Sequence, residues 1–361
     1  MRAGIAVVLL SALVASLPCA AAGAAPSRVQ RAQAQDVLST SVENVRDSTG
    51  HRYGARDHEG RSLDGLKVVQ AGGRNIGVYH TFEDGAFNVH LATSKDLLNW
   101  TREATLDRDA AQATIQALPN GGFLVAYEKA HAARPADRLL GRTENPTDRI
   151  RVRFRYYRTL DALLHAQHSR QFTAPRRVSP TAEGTPHFID VDMPRGLISR
   201  STIKVGLHRF SDLNDNGKPD VDRRSTGELR GFRDWEVREA PDIDAAFLEA
   251  RQLHAGFTAP PSGHIGDRDQ IILDGIRLQL HEAQYAFKDY STWRPFLIDP
   301  RTTALRPLAI ATHGGSRSFG NPTVTEITSP AGRRALLVTL FVFTEGAAPG
   351  EPGSLVYYRE R

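Results

Sequence analysis

Five stretches of the chain repeat one loose pattern: a loop, an apolar strand, a turn and a second, strongly apolar strand. They are LDGLKVVQAGGRNIGVYHTF from Leu63, DAAQATIQALPNGGFLVAYEKA from Asp109, AEGTPHFIDVDMPRGLISRSTIKVGLHRF from Ala182, GDRDQIILDGIRLQLHEAQYAF from Gly266 and FGNPTVTEITSPAGRRALLVTLFVF from Phe319. Further strand-like text follows each, such as FNVHLATS, RIRVRFRYYR, WRPFLIDP and SLVYYRE. The starts lie about 45 to 85 residues apart. Strand-only units at that spacing predict an all-β chain folded as a five-bladed β-propeller, each blade a four-stranded sheet around a common axis. A β-sandwich with insertions is the structural alternative. The last unit runs out about one strand short. DVLSTSVENV, residues 36–45, can supply that strand and close the ring, which removes the open sheet edges.

The chain has 361 residues, 24% of them charged and 40% hydrophobic, enough to bury a large core. Residues 1–25 read as a cleavable leader. Arg2 supplies the positive charge, IAVVLLSALVASL is too short to span a bilayer comfortably, and small residues up to Ala25 offer a cleavage site. The expectation is a secreted protein with a leader (1–25), an N-terminal segment (26–50) and a propeller (51–361). The one cysteine, Cys19, lies inside the leader, and Pro18 before it argues against a lipoprotein site. The mature chain therefore lacks disulfides, thiolate nucleophiles and Cys-based zinc sites. The net charge is +5, with a pI of about 9.4. The excess is modest and forms no basic block, so nucleic-acid binding is not expected. No later run is apolar enough to cross a membrane, and the chain reads as a monomer.

FNVHLAT alternates as a half-buried strand does, and SKDLLNW follows it. Ser94 and Asp96 are suited to folding back on their own backbone. Leu97 and Trp100, three apart, would share the buried side of one helical turn. The stretch resembles the S-x-D-L-x-x-W turn of five-bladed propeller glycosidases and related carbohydrate-active proteins, such as glycoside hydrolase families 43, 32 and 62. Asp96, Leu97 and Trp100 match it. In those families the turn fastens the third strand of a blade to the fourth, so it speaks to fold rather than chemistry.

The resemblance implies that the first strand of each blade lines the axis and that its lead-in faces substrate. The lead-ins are Asp64-Gly65, Asp107-Arg108-Asp109, Glu183-Gly184-Thr185-Pro186, Gly263-His264 with Asp267-Arg268-Asp269, and Arg317 with Gly320-Asn321-Pro322. The order Asp, Asp, Glu over three blades looks like family 43. On that likeness Asp64 is the general base, Asp109 the modulator and Glu183 the general acid. His264, Asp267, Arg268, Asp269, Arg317 and Asn321 are then substrate-binding. Glycoside hydrolysis needs such a set: one protonated carboxyl at the leaving oxygen, and one carboxylate facing water. The sequence departs from the family at several points. Gly65 stands where Pro follows the first Asp, and Gln112 stands where the second-blade Asp aligns. Glu183 is followed by Gly-Thr-Pro, one residue longer than the family run. The Arg268-Asp269 pair also resembles the Arg-Asp-Pro motif of family 32, with Gln270 in place of Pro. The bland readings stay open: Asp64 and Asp109 as turn residues, Arg268 in an ion-pair knot, and His187 and His281 packed within strands.

DLNDNGKPDVD spaces Asp212, Asn214, Asn216, the carbonyl of Lys218 and Asp220 as oxygen ligands around Gly217, the pattern of a calcium loop without the final Glu. A structural Ca2+ is the expected cofactor. Two functions follow from the sequence. One is a secreted glycosidase acting on carbohydrate through axial carboxylates. The other is a non-catalytic propeller that binds glycan or cell-wall polymer.

Overall fold

The computed structural model describes residues 26–130, 150–212 and 220–361. It begins with helix α1 (Arg28–Glu43), capped reciprocally by Ser27 and Gln30. The strand expected over residues 36–45 is therefore mostly helix. Ala34, Leu38 and Val42 recur every fourth residue and pack into the core of the last two blades. Ser39 and Ser41 donate their hydroxyls to the carbonyls of Gln35 and Val37, each at 2.8 Å, so their polarity is satisfied within the helix.

Strand β1 (Gly50–Arg52) follows. The first blade comprises β2 (Asp64–Ala71), β3 (Arg74–Glu83), β4 (Ala86–Ser94) and β5 (Thr101–Asp107). The second comprises β6 (Ala110–Ala117), β7 (Phe123–Ala130), β8 (Ile150–Tyr157) and β9 (Arg170–Thr173). The third holds β10 (Glu183–Asp192), β11 (Thr202–Ser211), β12 (Val221–Arg230) and β13 (Asp234–Glu239). The fourth holds β14 (Ile265–Leu273), β15 (Ile276–Gln284), β16 (Trp293–Asp299) and β17 (Ala304–Pro307). The fifth joins β18 (Phe319–Thr328), β19 (Arg334–Val342) and β20 (Gly353–Glu360) to β1. That last pairing, Gly50 opposite Tyr358 through Arg52 opposite Val356, ties the start of the propeller to its end. A short helix over Pro241–Leu248 leads from the third blade toward the fourth.

Apolar faces of neighbouring blades pack against each other. Ile76, Val78 and Val89 of the first blade meet Ile115, Val125 and Tyr127 of the second, and the same arrangement joins the second to the third. The SKDLLNW turn fastens β4 to β5, as its resemblance implies, but not as a helical turn. Leu97 sits at φ 72. Ser94 Oγ accepts the N–H of Leu97 at 2.9 Å, and Asp96 Oδ1 accepts those of Leu98 and Asn99 at 3.0 and 2.8 Å. Leu97 and Trp100 are nevertheless both buried. The indole lies so close to Gly77 that a Cβ there would fall 2.9 Å from Trp100 Cζ3, so β3 needs glycine at this point.

Candidate active site

The innermost strand of every blade breaks register with its neighbour near its start. The shifts lie at Asp64/Lys67, Ala111/Thr114, Gly184/His187, Asp267/Asp269 and Gly320/Thr323. Four of these bulges hold a left-handed residue: Gly65 (φ 59), Gln112 (φ 52), Thr185 (φ 47) and Asn321 (φ 50). Thr185 is β-branched and rarely adopts that conformation, a strain typical of functional sites.

The residue that pairs with the start of each bulge lies on the second strand. In order around the ring these are His80, Glu128, His208, His281 and Phe341, and in the fourth blade Glu282, opposite Gly266, stands next to His281. The first three blades thus place an ionisable side chain at one register position, and the fourth places His281 there with Glu282 beside it. Three of these side chains lean over the next blade, where glycine leaves room. A Cβ on Gly184 would lie 2.6 Å from Glu128, one on Gly266 2.2 Å from His208, and one on Gly320 3.1 Å from Glu282. His80 leans the same way, its Nδ1 3.3 Å from the backbone N of Gln112.

A cavity of about 700 Å³ opens over the first three blades. Its polar lining includes His80, Asp109, Gln112, Glu128, Thr185, His208 and Asp222. Burial pushes the Glu128 carboxyl above its ordinary range, against the lowering effect of a hydrogen bond from the Thr185 hydroxyl and the charge of Arg268. Asp222 behaves oppositely. Burial acts to raise it, but His264, whose Nδ1 lies 2.9 Å from Asp222 Oδ2, and the charge of Arg268 hold it below the usual carboxylate range. One cavity thus holds a carboxyl shifted upward and another shifted downward. Burial lowers His80 to about 4 and His208 to about 3, so both rings are neutral near pH 7.

The three carboxylates expected to act together do not share the cavity; only Asp109 contributes to its lining. Asp109 sits at the rim, its side chain 63% exposed and 3.9 Å from Lys129 Nζ. Asp64 accepts hydrogen bonds from the hydroxyls of Ser62 and Ser354. Glu183 is buried, and its Oε1 accepts the backbone N–H groups of Arg177, Val178 and Ser179 at 2.6, 2.7 and 3.0 Å. That is the geometry of a loop anchor, not of an acid offering a proton to a ligand.

The six residues expected to bind substrate divide. His264 touches Asp222 and stacks on Trp293 at 5.7 Å. Arg268, nearly enclosed, reaches across the axis to Gln112 Oε1 and lies 3.6 Å from Glu282. Asp269 accepts from Lys67 Nζ at 2.6 Å and from Val324 N at 2.8 Å, closing the axis as an ion-pair knot. Asn321 donates its backbone N–H to Glu282 Oε2. Arg317 is exposed on the loop before β18, its N–H on the carbonyl of Gly346. Asp267 pairs with His281 across β14 and β15; its side chain lies outside the described residues. Of the calcium set, Asn214, Asn216 and Lys218 lie outside the described residues, while Asp212 and Asp220 flank them. The leader, residues 1–25, also lies outside them. No helix among the described residues is long and apolar enough to cross a membrane.

No family model matches the chain, and no curated protein matches it in sequence. Solved structures match it in shape. A thermostable family-43 glycoside hydrolase superposes with a TM-score of 0.51 at 12% identity, covering 85% of this chain and 92% of that one. A second glycoside hydrolase gives a TM-score of 0.54 at 9% identity, covering 92% of this chain and 96% of that one. The chain has the propeller fold of these glycoside hydrolases. At such low identity the likeness concerns fold, and residue roles rest on the cavity's own geometry.

Proposed function

We propose that the protein is a glycoside hydrolase whose acid and base are Glu128 and Asp222. The supporting observation is their opposite shifts within one cavity, the Glu128 carboxyl raised by burial and the Asp222 carboxyl lowered by the hydrogen bond with His264. Environments that push two carboxyls apart separate an acid from a base. Glu128 gives its proton to the glycosidic oxygen as the bond to the anomeric carbon breaks. Water attacks that carbon and passes a proton to Asp222. His264 positions and charges Asp222, and Arg268 fixes the Gln112 amide with its oxygen turned toward the guanidinium. Asp109 at the rim and His80 and His208 on the floor contact the sugar. The leader-like residues 1–25 fit action on carbohydrate outside the cell. Calcium near residues 212–222 is proposed on spacing alone, and a melting temperature that falls with chelator would bear it out.

The test is a screen of oligosaccharides and polysaccharides for reducing-sugar release, repeated with Glu128→Gln and Asp222→Asn. Each substitution is expected to cost about 10²- to 10⁴-fold in kcat, the usual worth of a positioned acid or base. Release that survives both substitutions would remove the assignment. The second reading, a binding propeller without hydrolysis, is favoured by one observation: Gln112 occupies the second-blade bulge where the family resemblance expects an aspartate. Sugar binding with no release from any substrate would select it.

A further inference from the structure

The upper wall of the same cavity has no use in this mechanism. Phe82 and Phe87, paired across the β3–β4 hairpin next to its turn, line the cavity while remaining 63% and 44% exposed. Their ring centroids are 5.2 Å apart with planes at 69°, so they form a corner rather than a flat platform. Ala110, Ala111, Ala182 and Phe210 line the cavity as well. None of these six side chains can accept or donate a hydrogen bond.

That composition restricts what fits there. A sugar ring carries hydroxyls around its whole edge. Burying them against alanine and phenylalanine leaves them unpaired, at a cost of about 1–3 kcal/mol each. The cavity's hydrogen-bonding groups, Gln112, Glu128, Thr185, His208 and Asp222, come from the bulges and the strands beside them. A flat apolar ring suits the corner, since aromatic groups pack edge-to-face at these spacings. At about 700 Å³ the cavity falls within the roughly 300–1,000 Å³ of small-molecule sites, room for one sugar and one such group.

We infer that the cavity takes a glycoside with an aromatic aglycone, the sugar on the polar floor and the ring between Phe82 and Phe87. This rests on the proposed function only in taking the cavity as the substrate site. The specificity claim concerns binding and is tested apart from turnover, because aryl leaving groups accelerate cleavage whatever the wall contacts.

The experiment measures Kd by calorimetry for 4-nitrophenyl and methyl glycosides of the same common pentoses and hexoses. The proteins are the full chain carrying Glu128→Gln, alone and combined with Phe82→Ala and Phe87→Ala. Both phenylalanines are exposed, so their truncation leaves the fold in place. For at least one sugar, the aryl glycoside is expected to bind at least tenfold tighter than the methyl glycoside. The double truncation should abolish that ratio and leave methyl-glycoside affinity unchanged. Equal affinities in the parent protein, a ratio that persists after truncation, or no binding by either series would each overturn the inference. Hydrolysis of both series by the unmodified chain with equal Kd values would overturn it while leaving the proposed function standing.

Discussion

Three backbone N–H groups end on one oxygen of Glu183, and that count separates its role from that of Glu128. Charged acceptors of this kind are worth about 1.5–3 kcal/mol per hydrogen bond, and a neutral amide keeps only part of that. Glu183→Gln should therefore lower unfolding free energy by about 1–3 kcal/mol in urea titrations while hydrolysis by the folded fraction persists. Loss of hydrolysis at unchanged stability would return Glu183 to the chemistry. The sequence marked Glu183 as unusual beside a strand, and it is important, but as an anchor. Adjacent strand residues face opposite ways, so sequence alone could not say whether Glu183 or Gly184 faces the axis. Glu128 and Asp222 were not legible from the family likeness, which points to first strands, whereas they stand on the second and third strands of their blades. The signal for Glu128 was present: VYH, AYEK, LHR and LHEA each set an ionisable residue beside apolar ones in a second strand, whereas Asp222, on the third strand of its blade, shares no such pattern.

At the scale of elements, the glycines opposite these side chains carry a second prediction. Gly184 makes room for Glu128 to cross from β7 to the next blade. Gly184→Ala places a Cβ 2.6 Å from that carboxylate and should cost at least about tenfold in kcat, with the circular dichroism spectrum unchanged. Unaltered kinetics would mean that Glu128 need not cross. Five blades and the β4–β5 turn were legible because strand periodicity and the Ser94/Asp96 turn chemistry are local. Helix α1 was not, because the apolar spacing of Ala34, Leu38 and Val42 emerges only when residues before Asp36 are read with those after it. Closure by β1 rather than by residues 36–45 follows, since a helix cannot pair with β20.

For the whole molecule, burying neutral histidines around one axis makes stability depend on pH. His80 and His208 titrate at about 4 and about 3, and His254, behind the fourth blade, at about 4, against 6.5 for an ordinary histidine. Between pH 6.5 and about 4 the unfolded chain binds protons that the folded chain refuses, so stability falls as pH drops through that window. Each group contributes a slope of up to about 1.4 kcal/mol per pH unit. Melting temperatures between pH 7 and 4.5 should fall steadily, and His80→Gln or His208→Gln should flatten the fall. The cavity that depends on these histidines is tested most directly by the pH profile of kcat/KM on any oligosaccharide the protein cleaves. Glu128 must hold its proton, so activity is lost as pH rises through a pKa above the ordinary 4.5; Asp222 must be ionised, so activity is lost as pH falls through a pKa below the ordinary 3.8. A bell with those two limbs, its acid limb removed by Asp222→Asn, is the predicted result. A profile whose limbs do not respond to substitution of either carboxyl would contradict it.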